Sequence, residues 1–244
     1  MTISIILPTY NEVGNIIPLI KAITRVVPGT KEIIVVDDNS PDGTSQAVVL
    51  YKKQFPKQTV RLLTRKANRG LTNSIRDGIA RAHGDVVVWM DCDFSHPPEV
   101  IPKLLAKIAG GYDIAVGSRF ISGGKTKKAG DDGRDSRFAT WASTELSLVL
   151  RLAFRYPFTD YTSGFIAVRK QVLTAISLSG NYGEYFIDFI IRAFRKKYRI
   201  AEIPYTSPAR VRGESKTGGN IFNTVRLGTR YITTIVRLLW MSEN

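Results

Sequence analysis

Short apolar runs alternate with longer segments of helical period along the first half of the chain. Alternation of this kind is typical of βαβ units, in which a buried and mostly parallel sheet is covered by helices. It predicts a single domain of the α/β class. The predicted strands are Ile3–Leu7, Glu32–Val36, Val60–Thr64, Asp85–Met90 and Asp113–Val116, and the predicted helices between them are Val13–Val26, Thr44–Phe55, Thr72–His83 and Pro97–Ala109.

The second half of the chain has a less regular pattern. Residues 118–136 are rich in glycine and charge, which predicts a long loop with a function of its own. Residues 137–155 have a helical pattern with too few polar positions for a solvated face, so we expect this helix to be buried or to lie against lipid. Further short elements are predicted at Phe165–Val168, Glu184–Lys196 and Ile200–Tyr205, before a second Gly-rich basic stretch at 210–219.

The last segment places apolar or small residues in steps of four and three, from Ile221 to Leu239. This stripe predicts a C-terminal amphipathic helix over 220–244, with two interpretations left open. The helix docks on the core, or it lies at a membrane surface with its arginines facing anionic lipid. The remaining chain, 1–219, is then one domain with two halves, 1–117 and 118–219.

Composition narrows the chemistry. In 244 residues, 43% are hydrophobic and 23% charged, and the net charge of +14 predicts an anionic partner: nucleic acid, an anionic membrane surface or phosphorylated small molecules. One cysteine and two histidines exclude an internal disulfide, an all-cysteine zinc site and a two-histidine zinc motif. A catalytic metal would therefore sit on carboxylates, which suits Mg²⁺ or Mn²⁺.

The sequence predicts neither a secretory signal peptide nor a transmembrane helix. The N-terminal sequence lacks the basic and apolar regions of a signal peptide, and no run of 18 apolar residues occurs. We therefore expect a cytoplasmic protein whose contact with membranes is peripheral.

Two carboxylates, Asp91 and Asp93, follow the fourth predicted strand. The carboxyl ends of parallel strands are where open α/β sheets bind ligands. Asp-x-Asp at this position suits a hard cation that bridges two phosphates of a nucleotide. The alternative is an ordinary acidic turn.

Polar segments also follow the first and second strands. Tyr10 and Glu12 could contact a nucleobase, and Asp37 or Asp38 could hydrogen-bond a base or ribose, while the rest of 37–44 suits a turn that starts the next helix. Neither a dinucleotide-binding glycine motif nor a phosphate-binding P-loop is present, so phosphates must be held by other groups. The candidates are basic residues in glycine-rich segments, which could equally be solvated: Arg119, Arg134, Arg137, Arg210, Arg212 and Lys216.

Together these segments resemble the dolichol-phosphate mannose synthases of glycosyltransferase family 2, over about residues 3 to 220. The resemblance is carried by five motifs in order: 7–12 (LPTYNE), 37–44 (DDNSPDGT), 90–98 (MDCDFSHPP), 117–120 (GSRF) and 212–216 (RGESK). It implies a GT-A-type, Rossmann-like fold, in which 1–219 is the catalytic domain with a nucleotide-binding half at 1–117 and an acceptor-side half at 118–219. It also implies transfer of mannose from GDP-mannose to a dolichyl or other polyprenyl phosphate, with inversion at the anomeric carbon.

The resemblance further implies a role for each matching residue. The nucleoside would be held by Pro8, Tyr10, Glu12 and Asp38; the metal and diphosphate by Asp91 and Asp93; the donor phosphates by Arg212 and Lys216; and the acceptor phosphate by Arg119 and Arg137. Asp93, Arg212 and Lys216 would be catalytic. Asp160 could contact the sugar or orient an arginine.

Some positions depart from the family pattern. Cys92 stands where relatives usually have alanine, and Ser95 where some have a glutamine that contacts the metal. Many relatives add transmembrane helices, so membrane attachment here would rest on the two C-terminal-half helices or on a membrane-anchored partner subunit. The alternatives are a UDP-glucose enzyme with the same acceptor, a basic nucleic-acid-binding protein, or a silent regulatory subunit. We expect no nucleic-acid partner, and we expect the enzyme on the cytoplasmic face of a membrane.

Overall fold

A computed structural model of the chain describes residues 1–27, 29–126, 133–208 and 221–241. Within 133–142 and 221–227 it describes a helical backbone but not the side chains. It contains a central sheet flanked by helices on both faces, which confirms the α/β prediction. The strands of the sheet are β1 (Ile3–Thr9), β2 (Lys31–Asp37), β3 (Val60–Thr64), β4 (Val86–Trp89), β5 (Ile114–Ser118), β7 (Ile166–Arg169) and β8 (Ile200–Pro204).

The sheet is mostly parallel, with one exception. Its order is β3-β2-β1-β4-β7-β5-β8, and β7 runs antiparallel between β4 and β5. The other neighbouring pairs are parallel. The carboxyl ends of β1, β2, β4 and β5 therefore lie at one edge of the sheet.

Side chains of successive strand residues point to opposite faces, and both faces are covered. On β1, Ile5 and Leu7 pack into one core, whereas Ile6 packs into the other. The first core is covered by α1 (Val13–Val26), α2 (Thr44–Gln54) and α4 (Ile101–Ala109). The second is covered by α3 (Leu71–Ala80), α5 (Gly133–Phe154), α6 (Lys170–Ala175), α7 (Glu184–Arg195) and α8 (Ile221–Trp240).

The prediction of a loop over 118–136 is partly wrong. A short strand, β6 (Lys125–Thr126), lies inside it and pairs with β9 (Thr206–Ser207), and α5 begins already at Gly133. The prediction missed β6 because two residues form a strand only when a distant segment pairs with them. Residues 127–132 lie outside the described part of the chain.

The helix α5 is neither fully buried nor fully exposed. Leu150 is inaccessible to solvent, while Leu148, Val149 and Leu152 are exposed. One side of the helix therefore joins the core, and the apolar side chains opposite remain in contact with solvent.

The helix α8 docks on α7. Arg237 Nη2 lies 2.6 Å from Asp188 Oδ1, and Arg195 Nη2 donates a hydrogen bond to the carbonyl of Leu238 at 2.5 Å. Leu238 itself is buried. The docking interpretation thus holds for this face of α8, whereas its amphipathic membrane role and the division of the chain at 219 stay predictions. Within the described ranges, no helix has the length and apolar content needed to cross a membrane.

Candidate functional site

Four loops leave the sheet at the edge formed by the carboxyl ends of β1 to β4. Each contains one residue other than glycine in the left-handed backbone region: Asn11, Asn39, Asn68 and Phe94, with φ of 57°, 56°, 52° and 64°. Asparagine tolerates this region, but a bulky aromatic residue such as Phe94 is an outlier there. Sparsely populated backbone conformations cluster at functional sites, so this edge is the candidate site on backbone evidence alone.

Asp37 is a structural residue of the β2 loop. Its carboxylate is fully buried and accepts hydrogen bonds from Thr9 Oγ1 at 3.2 Å, from the Ser40 amide at 3.1 Å and from Ser45 Oγ at 2.7 Å. These contacts bind the ends of β1 and β2 to the start of α2.

Asp38 lies beside it and holds the loop that follows β3. Its Oδ1 accepts hydrogen bonds from Arg65 Nη1 at 2.6 Å and from Ser74 Oγ at 2.9 Å, and its Oδ2 accepts one from the Gly70 amide at 2.7 Å. Arg65 also donates to Asp77 at 2.7 Å. The predicted nucleoside-binding carboxylate is therefore fixed in one orientation by a buried arginine.

Asp42 joins the beginnings of two helices. It accepts hydrogen bonds from the amide of Val13, the first residue of α1, at 3.0 Å and from the amide and hydroxyl of Thr44, the first residue of α2, at 3.0 and 2.6 Å. Burial raises the pKa of this carboxyl, but these hydrogen bonds outweigh it and leave the pKa below its ordinary value. The predicted helix-starting role of the segment is confirmed.

The β1 loop presents the other predicted nucleoside contacts. Tyr10 is exposed, and Glu12 Oε2 accepts a hydrogen bond from Asn15 Nδ2 at 2.8 Å. Pro8 lies in β1, one residue before its end, and its carbonyl accepts a hydrogen bond from Cys92 Sγ at 3.4 Å. The cysteine between the two aspartates thus ties their turn to β1.

Asp91 and Asp93 lie on the turn after β4, as predicted. The Asp91 side chain is 49% exposed, whereas Asp93 is largely buried and accepts a hydrogen bond from the Ser95 amide at 3.0 Å. In the described residues, no group of three or more His, Cys, Asp or Glu side chains could hold a metal ion. Two carboxylates nevertheless suit Mg²⁺ or Mn²⁺, since such ions are bound by one or two carboxylates together with substrate phosphates and water.

Arg119 follows β5 and is paired with Asp160. Its Nε and Nη2 donate to the two carboxylate oxygens at 2.8 and 2.7 Å, and Nη2 also donates to Thr162 Oγ1 at 2.8 Å. Asp160 is completely buried. Burial lowers the pKa of the guanidinium, but the pair with Asp160 more than compensates and raises it above the ordinary value. Of the two roles predicted for Asp160, the structure shows the orientation of an arginine.

A second acidic residue, Glu202, was missed from sequence. Its carboxylate accepts hydrogen bonds from the amide and hydroxyl of Thr159 at 2.9 and 2.6 Å and from the Asp160 amide at 3.1 Å. Burial raises its pKa despite these bonds. The signal was weak because Glu202 lies in an alternating strand, where a charged residue normally faces solvent.

The structure does not describe the side chains of five predicted phosphate-binding residues. Arg210, Arg212 and Lys216 lie outside the described residues, and Arg134 and Arg137 lie in α5 where the side chains are not described. The structure therefore brings together Pro8, Tyr10, Glu12, Asp38, Asp91, Asp93 and Arg119 at one sheet edge.

The sequence matches a known family. The profile of Glycosyl transferase family 2 covers residues 4–176, from β1 to the region of β7. The chain belongs to this family. The predicted membership in glycosyltransferase family 2 is thereby confirmed, while the roles of its individual residues stay predictions.

Two curated proteins are similar along most of this chain. It is 36% identical over 248 residues to the dolichol-phosphate mannosyltransferase of Pyrococcus furiosus, covering 100% of this chain and 65% of that protein. It is 35% identical over 229 residues to the undecaprenyl-phosphate mannosyltransferase of Micrococcus luteus, covering 91% and 89%. The expected resemblance to polyprenyl-phosphate mannose synthases is confirmed, although the chain spans less than two thirds of the first relative's length.

Solved structures confirm the GT-A-type fold. Glucosyl-3-phosphoglycerate synthase from Mycobacterium tuberculosis, in complex with Mn²⁺, uridine diphosphate and glucosyl-3-phosphoglycerate, has a TM-score of 0.72 at 20% identity, over 98% of this chain and 80% of that one. The same enzyme with Mg²⁺ and uridine diphosphate gives a TM-score of 0.72 at 20% identity, over 98% and 79%. At this identity the likeness concerns the fold alone.

Proposed function

We propose that the chain is an inverting, metal-dependent glycosyltransferase that transfers mannose from GDP-mannose to dolichyl or another polyprenyl phosphate. The observation that carries the proposal is the placement of Asp91 and Asp93 at the same sheet edge as Asp38 and the Arg119–Asp160 pair. The mannosyltransferase names of the two curated relatives support the choice of sugar and lipid.

The acceptor phosphate would act as the nucleophile. A phosphate monoester has a second pKa of about 6, so at neutral pH it is largely a dianion and needs no general base. One of its oxygens forms a bond to the anomeric carbon from the face opposite the nucleotide. The bond from that carbon to the diphosphate oxygen breaks, its electron pair leaves with GDP, and the configuration inverts.

The nucleotide would lie along the edge formed by β1, β2 and β4. Tyr10 and Glu12 would contact the base with Pro8 beside them, and Asp38 would hydrogen-bond the nucleoside. The buried Arg65 that fixes Asp38 supports this role, because a binding carboxylate held in one rotamer loses little side-chain entropy when the ligand arrives.

The diphosphate would be held by charged groups from two segments. Asp91 and Asp93 would bind a divalent cation, Mg²⁺ or Mn²⁺, which would neutralise the charge that develops on the leaving group. Arg212 and Lys216 would contact the donor phosphates, and Arg119 with Arg137 would contact the acceptor phosphate. Catalysis is then the positioning of two anions plus electrostatic stabilisation.

Product formation from matched donors tests the proposal. The protein is incubated with Mg²⁺ or Mn²⁺, a polyprenyl phosphate and labelled GDP-mannose or UDP-glucose, and lipid-linked sugar is extracted into butanol. We expect label only from GDP-mannose and only with the metal. Label from UDP-glucose alone would establish the alternative donor, and no lipid-linked product from either donor would contradict the proposed reaction.

We also propose that the enzyme meets its lipid as a peripheral protein on the cytoplasmic face of a membrane, directly or through a membrane-anchored partner subunit. Exposed apolar side chains on α5 and α8 support direct contact, among them Leu152 and Trp240, the latter 85% exposed. The C-terminal ends of α5 and α8 lie close together, because one side chain of α7 contacts both. Arg195 Cζ lies 6.0 Å from the centroid of the Phe154 ring of α5, and Arg195 Nη2 donates a hydrogen bond to the Leu238 carbonyl of α8. Apolar side chains beside arginines suit an anionic interface.

Vesicle flotation tests the membrane contact. We expect binding to vesicles of phosphatidylcholine with phosphatidylglycerol, and weaker binding of a Leu152→Ser/Trp240→Ser variant. Leu50→Ser is the matched control, since Leu50 is an exposed leucine on α2, at the other face of the sheet. Equal binding by the double variant and the control would contradict the direct contact.

A further inference from the structure

His96 lies on the same turn as the two aspartates but is assigned no role by the proposed reaction. Its ring is buried, with 4% of the residue exposed. The backbone amide of Asp91 donates a hydrogen bond to Nδ1 of His96 at 3.0 Å. Because Nδ1 accepts this bond, it carries no proton, and the ring is the neutral form with its proton on Nε2.

The other ring nitrogen lies near the Asp91 side chain. His96 Nε2 is 4.0 Å from Asp91 Oδ2, which is too long for a hydrogen bond. His96 therefore accepts a hydrogen bond from the Asp91 backbone and lies close to the Asp91 carboxylate. Asp93 has a different partner, the Ser95 amide.

The ring is held in place by residues from the other half of the chain. It stacks on Phe165 with ring centroids 4.9 Å apart at 10°, and Tyr205 meets it edge-on at 6.0 Å and 80°. Phe165 in turn packs so closely on β5 that a Cβ at Gly117 would lie 2.9 Å from its ring. The position of the imidazole is thus set by packing that does not involve the aspartates.

The turn itself needs such support. Phe94 has the left-handed φ of 64°, and the turn is fixed to β9 by a hydrogen bond from Ser207 Oγ to the Ser95 carbonyl at 3.0 Å. Side chains that hydrogen-bond metal-binding carboxylates or their backbone usually set the orientation of the ligand. Asp91, the more exposed of the two carboxylates, is the one whose backbone amide donates to His96.

We propose that His96 is a positioning residue for the divalent-cation site: its Nδ1 fixes the Asp91 backbone and thereby holds the Asp91 carboxylate ready to bind the ion. This inference rests on the proposed function, because it takes Asp91 as a ligand of the cation. The acceptor nitrogen, rather than the bulk of the ring, is the feature that matters.

Three substitutions separate the acceptor from the ring. His96→Asn places an amide oxygen where Nδ1 was and removes the stacking ring. His96→Phe keeps a stacking ring and removes the acceptor. His96→Ala removes both. His83→Phe is the matched control, because the only other histidine has a 78% exposed side chain and precedes β4 at the opposite edge of the sheet.

Binding of Mn²⁺ alone to each full-length variant is measured from the free-Mn²⁺ electron paramagnetic resonance signal, with thermal unfolding as the check on folding. We expect His96→Phe and His96→Ala to weaken Mn²⁺ binding by about 10-fold or more, and His96→Asn and His83→Phe to stay within about threefold of the unaltered protein. The same ranking of the variants should appear in the Mn²⁺ concentration needed for half-maximal glycosyl transfer, which should be highest for His96→Phe and His96→Ala.

Each other outcome overturns the inference. Unchanged Mn²⁺ affinity in His96→Phe with a loss in His96→Asn would show that the ring acts only by packing, and unchanged affinity in all three would show no role; both results leave the metal site intact. If the unaltered protein binds no Mn²⁺ and its glycosyl transfer needs no divalent metal, the metal dependence in the proposed function fails and this inference fails with it.

Discussion

The two halves of the candidate site hold their polar side chains in different ways. On the proposed nucleotide side, Asp37 and Asp93 each accept a hydrogen bond from within their own loop, from Ser40 three positions on and from Ser95 two positions on, and one carboxylate, Asp38, pairs with the remote Arg65, 27 positions away. On the proposed acceptor side, Arg119 is held by Asp160, 41 positions away, and the Thr159 amide by Glu202, 43 positions away. The first side thus combines local motifs with one buried pair, and the second is a buried network.

The difference predicts different consequences of substitution. A local motif is formed within one loop, so its loss should remove chemistry and leave the fold. A buried network places charges out of water, so its loss should also destabilise the protein. Four predictions test this comparison, beginning with the largest effect.

Asp93→Ala should abolish metal-dependent transfer with little change in stability. We expect the rate to fall by roughly three orders of magnitude, because a bound cation contributes several kcal/mol to stabilisation of the leaving group. The measurement is lipid-linked product per minute at saturating Mn²⁺. Glu99→Ala, an exposed acid just after the same turn, is the control and should keep full activity. Near-normal activity of Asp93→Ala would exclude this metal site.

Asp160→Asn should destabilise the protein as well as slow the reaction. Removing the charge leaves the Arg119 guanidinium, only 19% exposed, without its ionic partner, at a cost of about 3 kcal/mol. Urea unfolding measures this cost. Asp77→Asn, which removes a 45% exposed partner of Arg65, should cost less than about 1 kcal/mol. Equal costs for the two variants would contradict the contrast between buried and local support.

Arg119→Lys should weaken the binding of the acceptor more than the binding of the donor. A lysine cannot form two parallel hydrogen bonds to Asp160, so the cation loses its fixed direction. We expect the KM for polyprenyl phosphate to rise by about tenfold while the KM for the donor stays nearly constant. Steady-state kinetics with each substrate varied in turn provide the measurement, and a selective rise in the donor KM would place Arg119 on the wrong side of the site.

Glu32 should give the smallest effect, on the acid dependence of stability. Burial raises the pKa of its carboxyl, but hydrogen bonds from the His83 amide, Ser4 and Arg61 outweigh it and lower the pKa from 4.5 to about 2. A pKa lowered in the folded state means that this stabilisation is present above about pH 4.5 and is lost as the pH falls towards 2.

Glu32→Gln should therefore be less stable than the unaltered protein at neutral pH, with the difference shrinking below about pH 4.5. Urea unfolding at several pH values checks this, with Glu99→Gln as an exposed control. A difference that does not change with pH would show that the hydrogen bonds, and not the charge, provide the stabilisation. Transfer activity at neutral pH should be unaffected, because Glu32 lies away from the site edge.

Sequence reasoning succeeded where a single segment decides the outcome. The observed bounds of α1, Val13–Val26, and of β3, Val60–Thr64, are those predicted. The turn at Asp91 and Asp93 was also located, because a buried strand followed by two acids is visible within ten residues. Membership in glycosyl transferase family 2 followed from such local motifs.

The same reasoning failed where distant segments meet. The insertion of β7 between β4 and β5 depends on hydrogen bonds between strands, which leave no mark on hydrophobic periodicity. The short pairing of β6 with β9, the burial of Glu202 and the stacking of His96 on Phe165 were missed for the same reason.

The amino-acid sequence by itself thus determined the α/β class, the strands β1 to β5 and the acidic turn at the sheet edge. Hydrophobic periodicity and loop chemistry act over a few residues and are therefore visible in the sequence. Only the tertiary structure decided which residues support that chemistry. Arg65 reaches Asp38, Asp160 reaches Arg119 and His96 packs between two aromatic rings, and each contact depends on bringing remote segments together in a water-poor interior, where a polar group must find a partner.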